Sequence, residues 1–171
     1  VNNLYVIIVA AFIAGLLGGA ILMSVPSGTA AVSTQQPQPT PNETAQPLPE
    51  TAAPSDHVAE KDISVQDDKV VINVQNPVWA RFAPSGSMKP VFDSGANAIE
   101  VVPTDPAQVR VGDIISYQAD WLDTPVVHRV LSTGEDADGW YAVVKGDNND
   151  SPDPGKVRWD QVRRVVIAIV Y

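Results

Sequence analysis

A chain of 171 residues has room for one folded domain and accessory segments. It contains no cysteine, which excludes disulfides, thiol nucleophiles and cysteine-ligated zinc. A formal net charge of −9 argues against a nucleic-acid partner, because phosphate binding needs a basic face.

Residues Leu4 to Met23 form an uncharged, mostly apolar run. About 20 helical residues cross a hydrocarbon core ~30 Å thick, so the run predicts a transmembrane anchor helix over residues 1–25. Tyr5 suits one interface, and Gly15 with Gly19 forms a small-xxx-small pair. A cleaved secretory signal would have a basic front end and a shorter apolar core. No Lys or Arg precedes Lys61, so an uncleaved anchor is expected.

Residues 26–64 read as a linker, with seven of the 15 prolines among Gln, Thr, Ser and Ala. Such a segment buries too little surface to offset the entropy of ordering. As a coil of about 40 residues it would span on the order of 35 Å. Asn42-Glu43-Thr44 is a glycosylation sequon, usable only outside the cytoplasm. His57 falls in this stretch and is expected to be a solvated side chain.

From Val65 onward the pattern becomes β-branched and partly alternating. Strands are predicted at Lys69–Val74, Val78–Phe82, Ala98–Val102, Ile114–Tyr117, Val126–Leu131, Trp140–Val144 and Arg164–Tyr171. Thr104–Val111, Gly134–Gly139 and Gly146–Gly155 read as loops. With no sustained helical period after the linker, residues 65–171 are expected to form an all-β domain of about 105 residues, enough for one core.

Between two of these strands lies Pro84-Ser85-Gly86-Ser87-Met88-Lys89-Pro90. A serine at the edge of a tight Gly turn is expected to be exposed and approachable, although Ser, Gly and Pro also make turns for ordinary backbone reasons. A hydroxyl becomes a nucleophile only when a base takes its proton. His128 is the one histidine beyond the linker, and imidazole is the best general base near neutral pH. A lone strand histidine is otherwise a structural residue. The loop Gly146-Asp147-Asn148-Asn149-Asp150-Ser151-Pro152-Asp153 offers three carboxylates to orient an imidazole, or an Asx-rich turn. Counted from Asp147 as an EF-hand, it has Pro152 where Gly is needed and Arg158 where Glu is needed, which argues against calcium.

The ordered series Ser85-Gly86-Ser87-Met88-Lys89-Pro90, Gly112-Asp113, His128-Arg129-Val130 and Lys145-Gly146-Asp147-Asn148-Asn149 resembles the type I signal peptidases. More narrowly it resembles their serine–histidine branch, of archaea and the endoplasmic reticulum. The resemblance covers roughly residues 78–171. It implies a signal-peptidase-like β domain with Ser87 as nucleophile, His128 as general base and Asp153 as the orienting carboxylate. Asp147 is the fallback carboxylate, and Ser85 is a candidate oxyanion donor. Lys145 is the alternative base, since bacterial relatives use lysine where this chain has His128.

The resemblance also implies a membrane-anchored serine endopeptidase, on the extracytoplasmic side of a cell membrane, needing no metal or cofactor. Its partners would be preprotein signal peptides with small residues at the first and third positions before the cut, bound extended, and the lipid bilayer through residues 4–23. Two features depart from the family pattern. Pro90-Val91 and Gly95-Ala96 replace the usual Pro-Thr and Gly-Asp, and about 60 residues separate Met23 from Ser87. They keep open a tethered, non-catalytic binding domain, or a protease dedicated to one surface protein. Trp79 and Phe82, beside the serine turn, are candidates for membrane contact or for the core.

Overall fold

The computed structural model of the chain describes residues 6–8 and 51–171. The rest of the predicted anchor, the linker up to residue 50 and the Asn42 sequon lie outside the described residues.

The described region is all-β. Ten strands occur in chain order: β1 (Val6–Ile8), β2 (Ile63–Val65), β3 (Val70–Ile72), β4 (Val78–Phe82), β5 (Asn97–Val101), β6 (Ile114–Tyr117), β7 (Val126–Asp136), β8 (Gly139–Lys145), β9 (Val157–Arg158) and β10 (Val162–Val170). Eight of them form one curled sheet in the order β1-β4-β5-β10-β6-β7-β8-β9, and β2 with β3 forms a separate hairpin. Every pairing in the large sheet is antiparallel except β1 with β4.

Two departures from the sequence reading concern the N-terminal half. Val6–Ile8 lies within the run expected to be helical, yet it is extended and parallel to Ala80–Phe82. Three consecutive β-branched residues suit an extended backbone, and the pairing covers a sheet edge. The stretch read as the end of the linker carries a 3₁₀ turn at Glu60–Asp62 and strand β2. His57 there is mostly buried rather than solvated, and its Nε2 lies 3.0 Å from Asp113 Oδ2.

The strands are short because their ends are punctuated. Pro77 precedes β4, and Pro103 follows β5. Asp105 then caps a 3₁₀ turn at Pro106–Gln108 through its carboxylate and the Gln108 side chain. β7 and β8 are longer than expected, running to Asp136 and starting at Gly139. The predicted loop there shrinks to a two-residue connection.

Alternation sends side chains to two cores. On one face Ala80, Phe82, Ala98, Ile114, Val127 and Val166 pack with Met88 and Phe92. On the other, Ile115, Tyr117, Val126, Val130, Val144 and Val165 pack together. Both faces of β6 and of the first half of β7 are therefore covered, which is why residues 126–130 are all buried. Phe82 stacks on Phe92 with ring centroids 3.9 Å apart, so it is a core residue and not a membrane contact. Burying a side chain of this kind stabilises the fold by about 1.5–3 kcal/mol. Trp79, on the opposite face of β4, is 41% exposed.

Candidate active site

The serine turn follows β4 directly. Phe92 N–H donates to the Met88 carbonyl, and the Asp93 carboxylate accepts from Gly86 N–H while Lys89 sits 3.1 Å away. Lys89 and the backbone donors hold the Asp93 carboxyl below its usual range. These contacts tie both ends of the turn together and aim Ser87 inward.

His128 comes from near the start of β7, cross-strand from Ile115. Its neighbours Val127 and Arg129 face the opposite side. The imidazole Nε2 lies 3.1 Å from Ser87 Oγ, across 41 residues of sequence. Its Nδ1 lies 2.5 Å from Asp153 Oδ2. Ser87, His128 and Asp153 thus stand in one hydrogen-bonded line. An imidazole held on one nitrogen by a carboxylate and facing a hydroxyl with the other is equipped to accept that hydroxyl's proton.

Asp153 is brought there by the loop after β8. Its own N–H donates to the Val144 carbonyl at 2.9 Å, which folds the loop back on the strand it leaves. The same loop braces the serine turn. Asn148 N–H donates to Ser87 O at 2.8 Å, and the Asn148 side-chain amide donates to Gly86 O at 3.1 Å. Gly146 makes this approach possible, since a Cβ there would stand 2.7 Å from Ser87 O. In consequence Ser87 is fully buried and not exposed at the edge of its turn, and His128 is fully buried as well.

The remaining sequence candidates are placed as follows. Ser85 Oγ lies 3.2 Å from Ser87 Oγ and accepts from Ser87 N–H at 3.3 Å. Asp147 does not face His128; it makes a bidentate pair with Arg129, both contacts at 2.7 Å. Arg129 Nη1 also donates to Gly112 O, so the pair locks the loop to the Gly112-Asp113 turn. Lys145 Nζ donates to the Asn149 carbonyl at 2.6 Å and serves the loop. Among the described residues no cluster of His, Asp and Glu could hold a metal ion, and no helix is long and apolar enough to cross a membrane.

One residue of this constellation escapes the sequence reading. Tyr117, at the end of β6, donates its hydroxyl to Asp153 Oδ2 at 2.5 Å. In sequence it is an ordinary β-forming aromatic, and nothing in the spacing ties it to an aspartate 36 positions away.

No family model and no solved structure matches the chain. Curated proteins do. The chain is similar to "Signal peptidase I W" of Bacillus subtilis, 34% identical over 79 residues, covering 46% of this chain and 41% of that protein. It is 34% identical over 86 residues to the signal peptidase complex catalytic subunit SEC11 of Scheffersomyces stipitis, covering 50% and 49%. The same subunit of Dictyostelium discoideum is 38% identical over 72 residues, covering 42% and 39%. The chain spans less than half the length of these relatives. The relatives are peptidases by name, and the all-β domain described above is related to them. Those relatives are signal peptidases by name, and the likeness runs over 72 to 86 residues of this chain.

Proposed function

We propose that the protein is a membrane-anchored serine endopeptidase that removes signal peptides from exported preproteins by Ser-His-Asp acyl transfer. The observation that carries the reading is the line from Ser87 Oγ through both His128 nitrogens to Asp153. Ser87 Oγ attacks the scissile carbonyl while His128 Nε2 takes its proton. Asp153 stabilises the imidazolium from the other side. The tetrahedral oxyanion is met by Ser87 N–H and the Ser85 hydroxyl. His128 then protonates the leaving amine, and water, activated by the same imidazole, releases the acyl group from Ser87.

The substrate is an extended segment with small side chains before the cut. In this reading the segment before Thr51 carries the anchor and the tether, and residues 51–171 are the catalytic domain, outside the cytoplasm. The chemistry calls for no metal or cofactor.

The full chain in detergent with a preprotein tests this. Ser87→Ala and His128→Ala each abolish cleavage, and Asp153→Ala lowers kcat by about 10³- to 10⁴-fold. Asp147→Ala acts instead through loop stability, and conditions that restore folding restore its rate. Near-normal activity in His128→Ala overturns the base assignment.

A second reading, a tethered binding domain that keeps the fold without the reaction, is favoured by the complete burial of Ser87. A fluorophosphonate probe that labels the wild type but not Ser87→Ala eliminates it. A protease dedicated to one surface protein is separated from a general one by comparing several preproteins.

A further inference from the structure

We infer that Tyr117 is a positioning residue of the site, whose hydroxyl fixes the carboxylate that orients His128. The inference rests on the peptidase reading and deepens it. Tyr117 is 2% exposed, on the face of β6 that packs against the His128 side of β7. Its hydroxyl and His128 Nδ1 both approach the same oxygen, Asp153 Oδ2, each at 2.5 Å. A carboxylate oxygen can accept from both donors at once. Asp153 otherwise depends on its own N–H bond to Val144, which fixes the backbone but leaves the side chain to rotate. The phenol supplies the missing constraint.

The phenol is suited to this in two ways. Burial first, and then the hydrogen bond to the adjacent Asp153 carboxylate, push its ionisation far above the ordinary range, so it is a donor at every working pH. It also draws charge from Asp153, and so moderates how strongly the carboxylate favours the imidazolium. The other charged groups on elements packed against His128 are engaged elsewhere. Arg129 of β7 pairs with Asp147 of the loop, and Lys145 of β8 donates to Asn149 O.

The test uses the full chain in detergent and a fluorogenic peptide with Ala at the first and third positions before the cut. Tyr117→Phe lowers kcat by about 3- to 30-fold with KM unchanged, because the lost interaction touches no substrate. The acid limb of its kcat/KM profile moves to higher pH, since an unmoderated carboxylate holds the imidazolium more tightly. Replacing Tyr117 with 3-fluorotyrosine, which keeps the shape and strengthens the donor, moves that limb to lower pH. In an Asp153→Asn background Tyr117→Phe costs nothing further.

Wild-type kcat and an unmoved limb in both Tyr117 variants overturn the inference, as does full additivity with Asp153→Asn. If Ser87→Ala still cleaves the peptide, it is the peptidase reading that fails. If Ser87→Ala is inactive while the Tyr117 variants match wild type, only the role of Tyr117 falls.

Discussion

Glu100 is a carboxylic acid placed where charge is costly. It is fully buried on β5, and neither of its oxygens reaches a hydrogen-bond partner. Burial pushes its pKa from 4.5 to about 7, against the opposing pull of the Arg164 guanidinium. Between pH 4.5 and 7 the folded chain therefore holds a proton that the unfolded chain has released. This contribution to stability is full below pH 4.5 and is lost as pH rises through 7, amounting to about 3 kcal/mol. Glu100→Gln removes the dependence. Denaturant midpoints of the two proteins should lie close together near pH 4.5 and separate by pH 8, with the variant the more stable. A constant gap across that range would contradict the account. Nothing in the sequence marks Glu100, because alternation along Asn97–Val101 assigns a face without saying whether that face is covered. That Ser87 and His128 meet was legible from residue type and motif, whereas the choice of Asp153 among the three loop carboxylates came only from the resemblance. Tyr117 and the engagement of Asp147 by Arg129 depend on distances across strands and were not legible.

At the scale of elements, the loop between β8 and β9 does two tasks with one backbone. It delivers Asp153 to His128, and it presses against the serine turn through Asn148. Gly146 is the point of closest approach, since an added Cβ would meet the Ser87 carbonyl at 2.7 Å and the Asn149 side chain at 2.8 Å. The Ser87 carbonyl is backbone and cannot swing aside. Gly146→Ala should therefore move the turn, and it should lower kcat by more than tenfold while costing about 1–3 kcal/mol of stability. Unchanged turnover would show that the turn is held by its own contacts alone. The sequence marked this loop by its Asx and Pro content, and it marked the strands by β-branched runs. It missed β9, whose two residues leave no periodicity to read. It also shortened β7 and β8, because Gly134 and Gly139 look like turn residues although Gly134 lies within a strand, opposite Tyr141.

For the molecule as a whole, the class of fold was legible and the N-terminal boundary was not. A Pro- and Ala-rich stretch reads as unstructured, yet Ala52 to His57 is fastened to the domain. Asp113, fully buried, accepts from Ser55 N–H at 2.7 Å and from Arg110 N–H at 2.8 Å, with His57 at 3.0 Å. Gly112 leaves room for this segment, for a Cβ there would come within 2.1 Å of Ala53 O. The fastening depends on a buried carboxylate, not on apolar area, which is why hydropathy does not reveal it. Asp113→Asn removes the charge and one of the two acceptor oxygens, and should cost about 1–3 kcal/mol. Hydrogen exchange should then quicken at the Ser55 and Arg110 amides before it does in the β strands. Equal protection in both proteins would show that the segment is held by something other than Asp113.

His128 and Arg129 are consecutive on β7 and serve opposite sides of the sheet, one reaching Ser87 and the other Asp147. A strand that places two buried, hydrogen-bonded groups back to back is sensitive to any change in its count of residues. One insertion or deletion between Val126 and Val130 would trade an imidazole for a guanidinium in the pocket and unlatch the loop in the same stroke. Past Val130, where the pairing with β8 already shifts, an extra residue would be absorbed without that exchange. In this stretch length matters as well as side-chain identity.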